Sequence, residues 1–555
     1  MSNNGYIAVN GVNLSSFCDF TPTVGSLIEY KTGSSVENVS TELWVQIELD
    51  FGNDIKKDVD LPLSSIDKAD WNKMDPRCNV SFKVKNASAL IAGYIRSQLS
   101  DTSLPRKTQY VLKEIGLHNI DGKKIFLAGD RVFTRSSDTH SFGVKYGGKL
   151  FKLDIDDNFS PQEAFKGMTE LISLVPGVGF LLLVYAIAGI IREAFIEAGL
   201  TPETILMVIG KSGMMKSSYI VQITQLYNRN SGVRADSRFD ATLSFIEKYL
   251  SKYRNCTVTI DDIHTAASSK IKNRNETTAE EIVRQISDNI GRGHMVGNEL
   301  VQDKFDGNAV FIGEYPIGSG STTPRMLYVE FTERPDGKIL HKYQCEKKLL
   351  MPTFYSYFIQ WYVDNFEDIK KTIIDRLTKF RTASTMPQVH GRLADTLFYL
   401  QASALIMLEY CAESEFISED EAIRLFEKFE IYVFQLINNQ QHIYSQQSSV
   451  PADLNYLNII MGMYNGSAFT LAKDVKRFDP DKHDGLIHYK CLCIRCDKLD
   501  AIMSLRLESY NRTKMINELK DKGALKLNND GKNTIQIGSA LKGKRFLAIY
   551  LDKLR

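Results

Sequence analysis

The sequence predicts an α/β fold: a parallel-sheet core built on a P-loop, an N-terminal α+β domain, a helical middle segment and a C-terminal winged helix. Three stretches carry that prediction. Ile205–Ile209 is an all-apolar run of strand length, Gly210–Ser217 follows it with the spacing G-x-x-x-x-x-K-S, and Cys256–Ile263 is a second β-branched run ending in Asp261 and Asp262. An unbroken apolar strand is what a sheet buried on both faces requires.

The loop has Gly210, Gly213, Lys216 and Ser217 in place and opens a helix running to about Tyr227. Glycines let backbone N–H groups close around phosphates, and the helix N-terminus adds favourable partial charge. Gly210, Lys211, Ser212, Gly213, Met214, Met215, Lys216, Ser217 and Ser218 are therefore the candidate ATP-binding residues. Lys216 would reach the β- and γ-phosphates, and the Ser217 hydroxyl would ligand Mg²⁺. One position departs from the pattern: Met215 stands where a glycine is usual, so the loop must turn there without one. The carboxylate pair comes 45 residues after Lys216, enough for a helix, a connection and a returning strand. Asp261 suits the metal's ligand shell, and Asp262 suits polarisation of the attacking water. Loop and carboxylates together predict an NTPase.

The other elements follow in order. Residues 1 to about 40 are polar and uninformative. Leu43–Phe51 and Asp54–Leu61 alternate around Gly52-Asn53, a hairpin signal. Ala87–Leu99 reads as an amphipathic helix, and Lys123–Phe133 and Phe142–Ile155 as strands, giving an α+β domain over 1–155. Leu171–Ile191 carries no charge, but Pro176, Gly177 and Gly179 interrupt it and Arg192 follows, so it predicts a core helix rather than a membrane span. The ATPase core is expected over 156–340. Within it, Ser268–Thr278 reads as an exposed loop, Ala279–Ile290 as a helix, Gly291–Lys304 as a projecting hairpin and Asn308–Tyr315 as a strand. Thr322–Phe331 carries Arg325 at the mouth of a further strand.

Residues 341–450 predict helices over Phe354–Phe380, Leu393–Cys411 and Glu419–Leu436, the last opened by a capping box from Ser418 to Glu421. Asn438–Ser449, rich in Gln, Asn and Ser, predicts a linker before Pro451. In 451–555, a helix over Asn511–Lys522, Gly523 and two short extended runs fit a winged helix. The tail is locally basic, with 12 Lys and Arg against 5 Asp and Glu over 505–555, which suits either a nucleic-acid surface or a solvated face. Tyr489, Cys491 and Cys493 are expected on one face of an alternating strand, which argues against zinc on Cys491, Cys493 and Cys496.

The 555 residues carry a net charge of +1, so nucleic-acid binding would have to come from local patches or a lined channel. Eight cysteines and no signal peptide point to reduced thiols in a cytoplasm.

Taken in order over 40–335, the Trp44 hairpin, the apolar helix, the G-x-S-x-x-x-K-S loop, the Asp pair, Gly291-Arg-Gly293 and Phe311-Ile-Gly-Glu314 resemble the helicase-associated AAA+ domain of phage and integrative-element primase–helicases. The pattern is similar to that of the MCM-like replicative helicases of staphylococcal cassette elements. The 313–331 stretch is also similar to superfamily-three viral helicases, with Gly313 in place of their sensor asparagine. The resemblance implies an AAA+-like core in a homo-hexameric, ATP-driven DNA helicase of a mobile element, acting in its replication. It implies that sensing passes to Glu314 or another group, that Arg325 acts as an arginine finger on the neighbouring subunit, and that Arg292, His294 and Lys304 contact single-stranded DNA in a central channel. A primase or polymerase is a further partner class, and duplex DNA a ligand for the C-terminal domain. An ATP-switched DNA-binding initiator without unwinding is the alternative, and a protein remodeller or small-molecule kinase a third.

Overall fold

The computed structural model describes the chain apart from residues 1–7, 10–11, 81–83, 85, 139–141, 228–233, 264–268, 290, 292, 297–298, 303, 319–320, 383–388, 449–455, 466–468, 507–511, 529, 538–542 and 555. It divides into two compact units, 1–444 and 445–555.

The first unit opens with β1 (Thr21–Gly33), β2 (Val39–Asp50), β3 (Lys56–Pro62), α1 (Ala87–Gln98) and β4 (Arg106–Leu112). β5 (Gly116–Ile120), β6 (Lys123–Ala128) and β7 (Arg131–Thr134) form an antiparallel three-stranded sheet, and β8 (Phe142–Tyr146) returns to the first sheet, whose order is β8-β4-β1-β2-β3. Val45, Ile47 and Leu49 of β2 meet Ile91 and Ile95 of α1 in one core. β1 occupies the centre of that sheet, in a stretch whose polar composition gave no strand signal. β8 stops at Tyr146, short of the strand expected to Ile155.

Pro176 and Gly177 do interrupt the uncharged stretch. They separate α2 (Pro161–Ile172) from α3 (Val178–Ile190), and α4 (Arg192–Glu197) continues the path. Twelve residues of α3 are buried, which is why it reads as apolar all round. Among the described residues no helix is long and apolar enough to cross a membrane.

The central sheet is wholly parallel. Its strands are β9 (Ile205–Ile209), β10 (Ser237–Arg238), β11 (Arg254–Ile263), β14 (Asp306–Gly313) and β15 (Met326–Glu330), in the order β10-β11-β14-β9-β15. Between them in the chain lie α5 (Lys216–Thr224), α6 (Leu243–Leu250), α7 (Ser269–Asp288) and a two-stranded antiparallel hairpin, β12 (Gly293–Val296) with β13 (Glu299–Gln302). The exposed loop expected at 268–278 is helical from Ser269, and α7 buries the polar Asn275 and Thr278 alongside Ala279, Ile282 and Val283.

Helices α8 (Gly337–Cys345), α9 (Leu350–Asp364), α10 (Phe366–Thr382), α11 (Gly391–Glu413) and α12 (Glu419–Ser448) complete the segment. The single helix expected over Phe354–Phe380 is broken at Asn365. The linker expected from Asn438 is instead the end of α12, because Gln440 is anchored. Its side chain is 2 % exposed; it donates to the Thr323 and Met326 carbonyls and accepts from Tyr328 N at 2.9 Å. β15 is an edge strand of the central sheet, and this one amide pairs with Met326 O and Tyr328 N on its outer side.

The second unit holds α13 (Tyr456–Asn465), α14 (Cys496–Arg506), α15 (Arg512–Asp521) and a sheet in the order β16 (Leu471–Ala472), β17 (Gly485–His488), β18 (Cys491–Arg495), β19 (Phe546–Tyr550). Isolated bridges from Leu525 and Ile535 flank β19 in place of the two extended runs expected there. Tyr489 lies in the turn between β17 and β18, not on a strand face. Cys491 and Cys493 are buried, and burial pushes the Cys493 thiol up to about 12. Among the described residues no group of three or more His, Cys, Asp or Glu side chains is placed to hold a metal.

Candidate functional site

β9 ends at Ile209, and the chain leaves the sheet tied to both neighbours: Gly210 N donates to Gly313 O at 3.1 Å, and Phe331 N to Ile209 O at 2.6 Å. Gly210 has no room for a side chain, since a Cβ there would lie 2.6 Å from Phe331 O. The loop then curls back through Gly213 to Met215, which has φ +59 and ψ +25 and immediately precedes α5. Met215 makes the turn expected of a glycine, in the left-handed region that costs an ordinary residue about 1–2 kcal/mol. The Lys216 amine points into the curl, donating to Gly210 O at 2.5 Å and Lys211 O at 2.8 Å. Burial holds that amine below the usual lysine range, while the carboxylates of Glu314 and Asp261 act in the opposite sense.

The two carboxylates sit on a β-bulge. Ile260 pairs with Phe311 and Ile263 with Gly313, so Asp261 and Asp262 together oppose the single residue Ile312. Bulges re-aim side chains, and here the backbone twists enough to give Asp262 a φ of +83. Asp261 Oδ1 accepts from Asp262 N at 2.7 Å. The Asp262 carboxylate is ion-paired to Arg238 at the end of β10. Arg238 carried no signal in the sequence, because a two-residue strand has no periodicity to read. Glu314 follows β14, its N–H donating to Ile263 O at 2.8 Å. An asparagine at 313 would not fit: a Cβ there would fall 2.9 Å from both Ile263 Cβ and Met207 Cε.

These pieces converge at the carboxyl ends of the strands, where open α/β sheets bind ligands. Ser212, Gly213, Met214, Met215, Lys216, Ser217, Ser218, Asp261, Asp262 and Glu314 line one cleft of about 350 Å³. Gly210 and Lys211 supply the carbonyls that hold Lys216. The donor set suits Mg²⁺, which takes hard oxygen ligands: Ser217, with its hydroxyl, and Asp261, with its carboxylate, line the same cleft.

Arg325 lies elsewhere. It precedes β15, level with the start of β9, whereas the loop leaves β9's far end; five residues of strand separate them, roughly 16 Å. Its guanidinium donates to Asp288 at 2.9 and 3.2 Å and to Ser321 O at 2.5 Å. Arg392 shares Asp288 at 3.3 Å and pairs with Glu203 at 3.1 Å. Of the expected DNA-contacting residues, Arg292 is outside the described residues, and so is the side chain of His294, whose backbone belongs to β12. Lys304 is exposed just past β13, and Met295 on the hairpin is 62 % exposed.

The central parallel sheet and the surrounding helices define a mixed α/β fold with one cleft at the carboxyl ends of its strands. The chain is similar to a solved structure described as "SCCmec type IV Cch - active helicase", at 12% identity, covering 96% of this chain and 94% of that one with a TM-score of 0.51. It is also similar to the apo NrS-1 C-terminal region, at 11% identity, covering 74% of this chain and 86% of that one with a TM-score of 0.25. No family model matches the chain, and no curated protein does.

Proposed function

We propose that the chain is an ATP-dependent, Mg²⁺-requiring DNA helicase that works as a homo-hexamer in the replication of a mobile element. The observation that carries this reading is the convergence of Lys216, Ser217, the bulge carboxylates and Glu314 on one cleft, in a fold shared over nearly the full chain with a helicase structure. The loop N–H groups and Lys216 bind and orient the phosphates. Ser217 and Asp261 would hold Mg²⁺, which supplies Lewis-acid neutralisation of phosphate charge when bound. Asp262 orients the attacking water once released from Arg238, and Glu314 reads the terminal phosphate. Arg325 serves the neighbouring subunit's cleft, since it lies too far from its own. The β12–β13 hairpin, with Arg292, His294 and Lys304, follows the single strand. The second unit, read as a winged helix, meets duplex DNA, and a primase or polymerase acts alongside.

One observation favours an ATP-switched initiator that does not unwind: the Arg238 ion pair keeps Asp262 engaged. Strand displacement separates the two readings. The test of the shared core is ATP hydrolysis with and without single-stranded DNA. Lys216→Ala is expected to abolish turnover with an unchanged melting temperature; parental rates in that variant would remove the loop from the reaction.

A further inference from the structure

We propose that the β17–β18 hairpin tip is a stacking site for single-stranded nucleic acid, with Tyr489 as its platform. The turn has two residues, closed by the His488–Cys491 pair, and both have positive φ: +44 at Tyr489 and +55 at Lys490. That geometry belongs to Asn-Gly or Asp-Gly. A tyrosine and a lysine in it are strained, and strain of this kind clusters where a side chain must be presented.

What is presented is an aromatic ring. Tyr489 is 78 % exposed, more than Ile487 at 42 % and Leu527 at 44 % beside it in the same unit. The His488 ring packs against it at 4.2 Å between centroids with the two planes inclined at 63°, and the tyrosine keeps most of its surface open to solvent. Lys526 reaches across from the neighbouring segment, its amine 5.8 Å from the ring centroid. Lys490 is exposed at the tip itself, and its carbonyl accepts from Leu551 N at 2.9 Å, tying the turn to the end of β19. An exposed ring flanked by ammonium groups matches a nucleotide, with the base on the ring and the phosphates on Lys490 and Lys526. Duplex bases keep their faces stacked on one another, so the partner is an unpaired strand. The charge over 505–555, 12 Lys and Arg against 5 Asp and Glu, favours the same ligand.

This inference goes beyond the nucleotide cleft and does not rest on it, since binding is measured on the full chain without nucleotide. Fluorescein-labelled oligothymidylate is titrated by anisotropy. The double variant Tyr489→Asn, Lys490→Gly places in the turn the residues its backbone favours, so it keeps or raises the melting temperature. It is expected to lose affinity by about tenfold, while Tyr489→Phe stays close to the parent and affinity for a duplex of equal length barely moves. Tyr489→Trp gives a second readout, quenching on oligothymidylate addition beyond the parent's own. An unquenched Tyr489→Trp variant, or parental affinity in the double variant, overturns the site. An equal loss on duplex overturns stacking in favour of plain phosphate contact.

Discussion

Met215 shows how one residue can satisfy a loop's geometry without its usual chemistry. Its left-handed backbone closes the curl that presents Lys216, and a Cβ added at Gly337 would meet its terminal methyl at 3.4 Å, so the side chain packs against the start of α8. Glycine at this position would remove the conformational cost of about 1–2 kcal/mol but would loosen the unfolded chain and lose that packing. Met215→Gly is therefore expected to stay within about 1 kcal/mol of the parent in denaturant melts. A β-branched residue tolerates the left-handed region worst. Met215→Val is expected to lose about 1–2 kcal/mol of stability and to weaken ATP binding with it. If Met215→Val binds ATP as the parent does, the curl does not depend on this dihedral.

At the scale of elements, Gln440 makes a sharper case. Removing its amide breaks its bonds to Tyr328 N and Met326 O on the edge of β15 and to Thr323 O just before it, at a residue that is 2 % exposed. Gln440→Leu is expected to cost about 2–4 kcal/mol, from the unmade bonds rather than from lost volume; a loss below about 0.5 kcal/mol would mean the edge finds other partners. The hairpin carries a different prediction, since Met295 on it and Lys304 just past it are exposed. His294→Ala combined with Lys304→Ala should keep basal ATPase and lose its stimulation by single-stranded DNA, and stimulation at the parental level would return the hairpin to plain structure. These elements also show what the sequence can disclose. β9 and β14 were legible because a buried parallel strand is apolar throughout. β1 was not, because its inward positions include Ser26, and α7's first turns were not, because Asn275 and Thr278 take inward positions that an apolar count ignores. The end of α12 was hidden for the same reason: Gln440 looks like linker composition and behaves as core. In the cleft, the carboxylates could be read from their place at the end of a strand, but neither the bulge that aims them nor Arg238 leaves a pattern in one chain.

At the scale of the whole molecule the position of Arg325 sets up a choice between two roles. It lies roughly 16 Å along the sheet from its own loop, so it cannot serve the cleft of its own subunit. Within the chain its side chain is 12 % exposed and shares Asp288 with Arg392. Two roles fit that placement. As part of a structural ion network it would hold α7 to the start of β15, and Arg392 would still neutralise Asp288 after its removal. As a trans-acting group it would complete the charge around the next subunit's phosphates in a closed ring. The roles part in a mixing experiment. Arg325→Ala and Lys216→Ala proteins are each expected to be inactive alone, one for want of a donated arginine and the other for want of its own lysine. In a random one-to-one mixture about a quarter of the interfaces pair an intact lysine with an intact arginine, so ATPase activity should return to a comparable fraction of the parental rate. A purely structural Arg325 gives no such recovery, because no neighbour can supply an ion pair inside another subunit's fold. Co-assembly is established first by pulling down one tagged variant with the other. Co-assembled mixtures that hydrolyse nothing would place Arg325 outside the reaction.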